Sequence, residues 1–132
     1  MAKILLFEDE EPHGVFILKL LHDLGHEVIW VKDKKETEAA LENNDFDLFV
    51  LDTIIKYLDD GLDVDYGFKI AESIRNHSKF KNTPIVFVTI RDERRAKETA
   101  EKLGAARYFV KPIMPSDFRK EIQKILKNEY NF

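Results

Sequence analysis

Charged and hydroxyl side chains follow four apolar runs of the sequence, each at the point where the run ends. Glu8, Asp9 and two further acids follow the first run, and Asp52 follows a later one. Thr89 and Lys111 end two other runs in the same way. If these runs are strands of one parallel sheet, three carboxylates, one hydroxyl and one ammonium meet in a single crevice.

This set of groups has the parts needed to place a phosphoryl group on an aspartate. Crowded carboxylates repel one another unless a hard cation holds them, and Mg²⁺ prefers oxygen ligands. A lysine supplies fixed positive charge for an anion. Nucleophile, charge neutralisation and orientation are then all present. Taken singly, each residue has a structural explanation, such as a helix cap or a turn. Their occurrence at four strand ends favours the functional interpretation.

The elements that position these residues alternate five times along the chain. Branched and aromatic runs without polar alternation predict strands buried on both faces, at 3–7, 27–31, 47–51, 85–89 and 107–110. Amphipathic patterns predict helices at 12–24, 34–43, 67–77, 92–103 and 115–127. Right-handed crossovers then give a parallel sheet with helices on both faces.

Apolar residues of the first helix and one tryptophan are candidates for the core. In that helix we expect Val15, Leu18 and Leu21 to form the inward stripe, which Phe16 and two neighbours widen. Trp30 is expected in the core. His13 is expected on the exposed first turn of the helix, outside any site, and the scattered histidines do not suggest zinc.

Composition restricts the class of protein. The chain has 132 residues, 25 acidic against 21 basic side chains and no cysteine. A mild acid excess argues against direct nucleic-acid binding. The absence of cysteine and of a signal peptide or membrane span predicts a cytoplasmic protein without membrane attachment.

Four motifs resemble the receiver domain of two-component response regulators. They are KILLFEDE at 3–10, DLFVLD at 47–52, PIVFVT at 84–89 and GAARYFVKP at 104–112. The resemblance covers essentially the whole chain and implies a single domain over 1–132. It also implies the flavodoxin-like α/β fold, a doubly wound, five-stranded parallel sheet of order 2-1-3-4-5 with five helices in three layers.

The resemblance implies a role for each residue that matches a motif. Asp52 is the phosphoryl acceptor and part of the ligand set for Mg²⁺, or Mn²⁺. Asp9 binds the metal directly, and Glu8 reaches it through water. The backbone carbonyl of Ile54 is a further metal ligand.

Further matches imply the parts of a switch. Lys111 pairs with the acceptor and then with a phosphoryl oxygen, and its peptide bond to Pro112 is expected to be cis. Thr89 bonds the phosphoryl group and moves toward it. Tyr108 is the aromatic that turns inward as Thr89 moves, so phosphorylation shifts the population between two packings.

The sequence departs from the family's pattern in two places. Lys56 stands where a proline is common, and Gly67 lies further from Asp52 than the family's spacing, so the stretch 53–66 contains an insertion. The insertion carries four acids: Asp59, Asp60, Asp63 and Asp65. It is either a solvated loop or a loop that recognises a partner or tunes the metal; a calcium loop lacks the full EF-hand register.

Three residues are expected to tune loss of the phosphoryl group. Ile90 replaces a small residue and should narrow access to Asp52. Ile54 is apolar and cannot orient an attacking water with its side chain. Together with Arg91 these positions predict slow self-dephosphorylation.

The resulting hypothesis is a signalling switch rather than an enzyme. The phosphodonor would be a sensor histidine kinase or a histidine phosphotransfer protein, docking near the first helix. Output would pass to an unknown downstream protein, with the chain monomeric or dimerising on phosphorylation. No effector is expected beyond the fifth helix, since only residues 128–132 follow it.

Three other interpretations stay open. A pseudo-receiver would bind partners without taking phosphate. A magnesium-dependent aspartyl phosphatase normally has a second aspartate two residues after its nucleophile, where this chain has Ile54. A flavin-binding electron carrier shares the fold, but the acids after the first strand would repel its phosphate.

Overall fold

Parallel strands form the centre of the molecule. The computed structural model describes residues 1–58 and 61–127. Within them the elements follow in the order β1 (Lys3–Phe7), α1 (Glu11–Asp23), β2 (Glu27–Val31), α2 (Lys34–Asn43), β3 (Leu48–Leu51), β4 (Ile55–Leu58), β5 (Gly61–Asp63), α3 (Tyr66–Asn76), a 3₁₀ turn (Ser78–Phe80), β6 (Ile85–Thr89), α4 (Arg94–Lys102), β7 (Arg107–Val110) and α5 (Pro115–Leu126).

The central sheet has the order β2-β1-β3-β6-β7, and every neighbouring pair is parallel. The predicted doubly wound α/β fold is therefore confirmed, with β6 and β7 as the fourth and fifth strands of the order. Phe7 is level with Val31 on one side and with Leu51 on the other. The residues that follow β1 and β3, Glu8 and Asp52, consequently leave the sheet at the same edge.

Alternate residues of each central strand pack on opposite faces of the sheet. On β1, Leu5 and Phe7 lie in a cluster that includes side chains of α2, α3 and α4. Ile4 and Leu6 lie in a second cluster with α1 and α5. A strand covered on both faces has to be apolar throughout, which explains why these runs lack polar alternation.

Helix bounds differ slightly from the predicted ones. α4 begins only at Arg94, because Glu93 still has extended backbone. β3 begins at Leu48 instead of at position 47.

Among residues 1–58 and 61–127, every helix is too short or too polar to cross a bilayer.

The predicted inward stripe of α1 was wrong in part. The helix buries Ile17, Leu20 and Leu21 but leaves Val15 and Phe16 half exposed, at 50% and 44%. The physical cause is Gly14, which is buried against the indole of Trp30: a Cβ at position 14 would lie 2.0 Å from the ring.

A large side chain on β2 thus selects the face of α1 that carries a glycine. The indole is only partly buried, packing against the cluster with α1 and α5. The prediction that Trp30 belongs to the core is therefore right in that its ring packs against this cluster, although the side chain is not fully buried.

The predicted irregular insertion contains regular structure. β4 and β5 pair antiparallel, with Ile55 opposite Asp63, and form a short hairpin between β3 and α3. Calling the whole stretch 53–66 a loop was therefore wrong. Asp59 and Asp60 lie outside the described residues.

A close backbone approach fixes where the insertion ends. Gly67, in the first turn of α3, donates its N–H to the carbonyl of Thr53 over 2.9 Å. A Cβ at position 67 would lie 1.8 Å from the carbonyl oxygen of Asp52. Only glycine lets α3 start this close to the turn that carries the acceptor aspartate.

We expect Gly67→Ala to destabilise the protein by about 3 kcal/mol, because overpacking against a fixed backbone group costs at the upper end of the usual range. Gly25→Ala is the comparator: Gly25 has φ +87°, but a Cβ there meets open space. That change should cost about 1 kcal/mol. Urea unfolding of both variants measures the difference, and equal losses would contradict the close approach.

Candidate functional site

One ammonium group joins two buried carboxylates at the carboxyl edge of the sheet. Nζ of Lys111 lies 2.7 Å from Oε1 of Glu8 and 2.9 Å from Oδ2 of Asp52. The exposed fractions of the three side chains are 9%, 1% and 9%. The ends of β1, β3 and β7 supply one residue each, so the sheet itself holds the triad together.

Burial and charge shift the pKa values of this triad. Burial and the negative charge of Asp52 raise the pKa of Glu8 to about 7, against the opposing effect of Lys111. Burial by itself would lower the pKa of Lys111, but the charges of Asp52 and Glu8 raise it above its ordinary value. The ammonium therefore keeps its proton at neutral pH, where Glu8 is only partly ionised.

The second oxygen of Asp52 is held by the backbone that follows it. Oδ1 accepts the N–H of Thr53 over 2.6 Å and that of Ile54 over 3.2 Å. This local turn, together with Lys111, leaves Asp52 with a hydrogen-bond partner on each oxygen. The carboxylate is fixed before any ligand arrives.

Asp9 lies beside Asp52 but has different partners. Its Oδ2 accepts the N–H of Lys56 over 2.6 Å. The ammonium of Lys56 forms an ion pair with Glu10, and this contact lowers the pKa of Glu10. The start of the hairpin therefore contacts the acidic run directly.

A small cavity of about 20 Å³ separates Asp9 from Asp52, room for roughly one water molecule. We call it the Asp52 cavity. Its lining is Asp9, Glu10, His13, Asp52, Ile54, Lys56, Ile90 and Lys111.

The donor chemistry of the Asp52 cavity fits a hard divalent cation. Three carboxylates and residue Ile54 line it, and Glu10 is already paired with Lys56 and His13, which leaves Asp9 and Asp52. Mg²⁺ is commonly held by one or two carboxylates while it keeps several waters. Among residues 1–58 and 61–127, no group of three or more His, Asp or Glu side chains is arranged to hold a metal ion. Glu8 stands apart because it is not among the residues that line the cavity, and its two oxygens accept from Lys111 and from the N–H of Glu10. Asp9, Asp52 and the backbone carbonyl of Ile54 would thus hold the ion, which is the set that the resemblance implies, with Glu8 outside the direct ligands.

Thr89 is completely buried, and its hydroxyl is engaged. Its Oγ1 lies 2.9 Å from Oγ1 of Thr53 and accepts the N–H of Arg91 over 3.3 Å. This hydroxyl has a single proton, so donating it to a phosphoryl group excludes donating it to Thr53, whereas the oxygen can keep accepting the N–H of Arg91. Thr53 follows Asp52 directly, so one turn carries both the acceptor and the partner of Thr89.

Tyr108 is partly buried beside Phe87, with ring centroids 6.3 Å apart. Its hydroxyl donates to the carbonyl of Arg91 over 2.8 Å, and burial raises its pKa to about 12. The residue predicted as the switch aromatic is therefore held by a defined hydrogen bond. Arg91 is the common partner of Tyr108 and Thr89.

The three predicted tuning residues occupy different surroundings. Ile90 is 57% exposed and lies at the rim of the Asp52 cavity. The side chain of Ile54 is buried. The guanidinium of Arg91 bonds Val64, Asp65 and Glu93, and Arg91 is not among the residues that line the cavity.

Beside the Asp52 cavity lies an apolar groove of about 370 Å³, which we call the α1 groove. Phe16, Ile17, Val88 and Ile113 line it, and His13, Ile90 and Lys111 line both this groove and the cavity. Pro112 completes its wall, and the Lys111–Pro112 peptide bond is cis.

Sequence reasoning missed three residues of the site. His13 lies 3.2 Å from Nζ of Lys111 and 3.0 Å from Glu10, so placing it outside the site was wrong. Its position on the first turn of α1, directly after the acidic run, was the available signal. For Thr53 and Lys56 no signal existed beyond their place next to Asp52 and at the start of the insertion.

Comparisons with known proteins agree with this geometry. Residues 4–123 match the model of the response regulator receiver domain, so the chain belongs to that family. It is 30% identical over 125 residues to the alkaline phosphatase synthesis transcriptional regulatory protein PhoP of Bacillus subtilis, covering 95% of this chain and 48% of that protein. The chain spans about half the length of the curated relatives it matches.

Solved structures of receiver domains superpose on the chain. The chemotaxis response regulator CheY4 of Vibrio cholerae is 27% identical, with a TM-score of 0.81 over 95% of this chain and 98% of that one. The receiver domain of sensor histidine kinase PA1611 from Pseudomonas aeruginosa is 23% identical, with a TM-score of 0.80 over 96% and 98%. That protein was solved with a magnesium ion coordinated in the active-site cleft.

We expect Glu8→Gln to make the metal-free protein more stable at pH 8 than the original chain, by up to roughly 3 kcal/mol. The pKa of Glu8 rises from 4.5 to about 7 on folding, so the native state binds more protons than the unfolded state in this window. The contribution of Glu8 to stability therefore decreases as pH rises from 4.5 to 7. Denaturant unfolding with a chelator across this range measures it.

Glu10→Gln is the matched control for that change. The pKa of Glu10 is lowered by its contact with Lys56, so its removal should cost stability at neutral pH instead of adding it. Identical pH profiles for the original chain and Glu8→Gln would contradict the assignment of the raised pKa to Glu8.

Proposed function

We propose that the chain is a phosphorelay switch that accepts a phosphoryl group on Asp52 from a phosphohistidine. The observation that carries this is the Lys111 ammonium, shared between Asp52 and Glu8 at the carboxyl edge of the sheet. The family is that of response regulator receiver domains, whose members generally bind Mg²⁺ in the active site and interact with sensor histidine kinases or phosphotransfer proteins.

The transfer itself requires little from the chain beyond orientation and charge. An Asp52 oxygen bonds phosphorus as the phosphorus–nitrogen bond of a donor ring protonated on its other nitrogen breaks, which leaves an acyl phosphate and a neutral imidazole. Lys111, 2.9 Å from Oδ2, is in position to follow the negative charge onto a phosphoryl oxygen. A bound Mg²⁺ supplies further neutralisation of that charge.

The switch is a rearrangement of hydroxyl partners. To bond the phosphoryl group, Thr89 has to give up Thr53, which is 2.9 Å away and fully buried. Its second partner, Arg91, also accepts the Tyr108 hydroxyl through its carbonyl. Movement of Thr89 thereby acts on the hydrogen bond that holds Tyr108.

The phosphatase alternative is disfavoured by Ile54. A turnover enzyme needs an acid–base group beside the nucleophile, and this apolar side chain is buried two residues after Asp52. We propose instead that the phosphoryl group leaves only by slow hydrolysis, with Ile90 at the rim of the Asp52 cavity limiting access.

The partners of the proposed relay are protein modules. The α1 groove contains the half-exposed Phe16 and adjoins the Asp52 cavity, which supports docking of a kinase or phosphotransfer protein there. A downstream protein would bind near Tyr108 and α4, and dimerisation on phosphorylation is an alternative form of output. The proposed relay would operate in the cytoplasm, away from membranes and without direct nucleic-acid contacts.

Binding of beryllium fluoride with Mg²⁺ tests the proposal. Trp30 is the single tryptophan, and its Nε1 donates to the carbonyl of Glu8 over 2.8 Å. We expect the phosphoryl mimic to change Trp30 fluorescence and to raise the melting temperature, because a ligand that binds only the folded state stabilises it.

Asp52→Asn is the control, since it keeps the size of the side chain and removes the nucleophile. It should lose both responses to the mimic. If the original chain shows neither response, the pseudo-receiver interpretation replaces the switch. Turnover of a free phosphate ester would favour the phosphatase.

A further inference from the structure

The β4–β5 hairpin is attached to the acidic run at its first strand. The N–H of Lys56 donates to Oδ2 of Asp9 over 2.6 Å, and its side chain pairs with Glu10. Asp9 is the predicted direct ligand of the metal. Charge neutralisation at Asp9 by a cation therefore acts on a hydrogen bond that holds the hairpin.

A second attachment lies just after the hairpin. Nη1 of Arg91 donates to the carbonyl of Val64 over 2.7 Å and to Oδ1 of Asp65 over 2.8 Å. The Arg91 side chain is only 15% exposed, and its guanidinium lies 5.7 Å from the centre of the Phe68 ring. The guanidinium is therefore held in a packed position, while its partner Asp65 is 60% exposed at the surface.

The backbone of Arg91 belongs to the switch. Its N–H donates to Thr89 and its carbonyl accepts from Tyr108, over 3.3 and 2.8 Å. One residue thus holds the two switch side chains with its backbone and the end of the insertion with its side chain. Movement of Thr89 or Tyr108 would therefore disturb the backbone hydrogen bonds of Arg91, and a shift of Arg91 would disturb its side-chain bonds to Val64 and Asp65.

The segment between the attachments is itself braced. Asp63, at the end of β5, pairs with Lys69 of α3 over 2.7 Å and accepts the N–H of Asp65 over 2.9 Å. The end of the hairpin and the start of α3 are therefore connected, so a displacement at Asp65 is transmitted to β5.

We propose that the hairpin is a second output of the switch, coupled to Asp9 through Lys56 and to Thr89 and Tyr108 through Arg91. The inference rests on the proposed function and adds a responsive surface on the insertion. Linkage then requires reciprocity: a partner that fixes one hairpin position changes the affinity of Asp52 for the phosphoryl mimic by the same factor.

A single-cysteine label reads the hairpin directly. The chain has no cysteine, so Leu62→Cys, at a side chain that is 61% exposed on β5, accepts an environment-sensitive fluorophore at one place. With beryllium fluoride and Mg²⁺ we expect the label to respond with the same midpoint as Trp30. Glu38→Cys on the exposed side of α2 is the control position and should stay silent.

Two matched variants test the route. Asp65→Ala and Glu93→Ala each remove one carboxylate partner of Arg91, but only Asp65 belongs to the insertion. We expect the Leu62→Cys label to lose most of its response in Asp65→Ala and to keep it in Glu93→Ala. Trp30 should respond in both.

The outcomes separate the inference from the proposed function. A silent hairpin label beside a responding Trp30 and a raised melting temperature overturns the inference and leaves the switch intact. An equal response at the control position, or equal effects of the two variants, also overturns it. Absence of every response, melting temperature included, overturns the proposed function and the inference with it.

Discussion

The ion pairs from Lys111 to Glu8 and Asp52 are the interaction on which the rest of the structure depends. Two carboxylates this deeply buried repel each other, and without the ammonium of Lys111 both would be uncompensated. The ends of β1, β3 and β7 must therefore stay in register. The parallel sheet supplies that register, and its two apolar faces, each covered by helices, hold it rigid.

The charges of the same triad can be redistributed, because the Lys111 ammonium is shared between two carboxylates. Lys111 pairs with both acids, and the pKa of Glu8 is still raised, first by burial and then by the negative charge of Asp52. A phosphoryl group with a divalent cation would redistribute these charges. A ligand that binds one arrangement of these charges more tightly than the other would shift the population between them.

Much of the fold and the acceptor site could be predicted from sequence, because both depend on local features. Unbroken apolar runs identify buried parallel strands, and the residues that end them reach one edge of the sheet. Asp52 and Lys111 could be identified as site residues in this way. The buried face of α1 could not be predicted, because it depends on the packing of Gly14 against Trp30, two residues far apart in sequence.

The internal structure of the insertion could not be predicted from the sequence. Its length was visible, but the pairing of β4 with β5 and the attachment through Arg91 depend on tertiary contacts of single residues. The same holds for His13 and Thr53, whose partners Lys111 and Thr89 are far away in sequence. Polar side chains follow no regular period in the sequence, so their hydrogen-bond partners can be identified only from the structure.

The most direct measurement of the central claim is chemical mapping of the phosphoryl group. The chain is incubated with Mg²⁺ and a small acyl phosphate, the acyl phosphate on the protein is reduced with borohydride, and the modified residue is located by peptide mass spectrometry. We expect a single modified position, Asp52, and we expect its modification to depend on Mg²⁺. Modification at Asp9 or Glu8 instead, or no modification of any carboxylate, would contradict it.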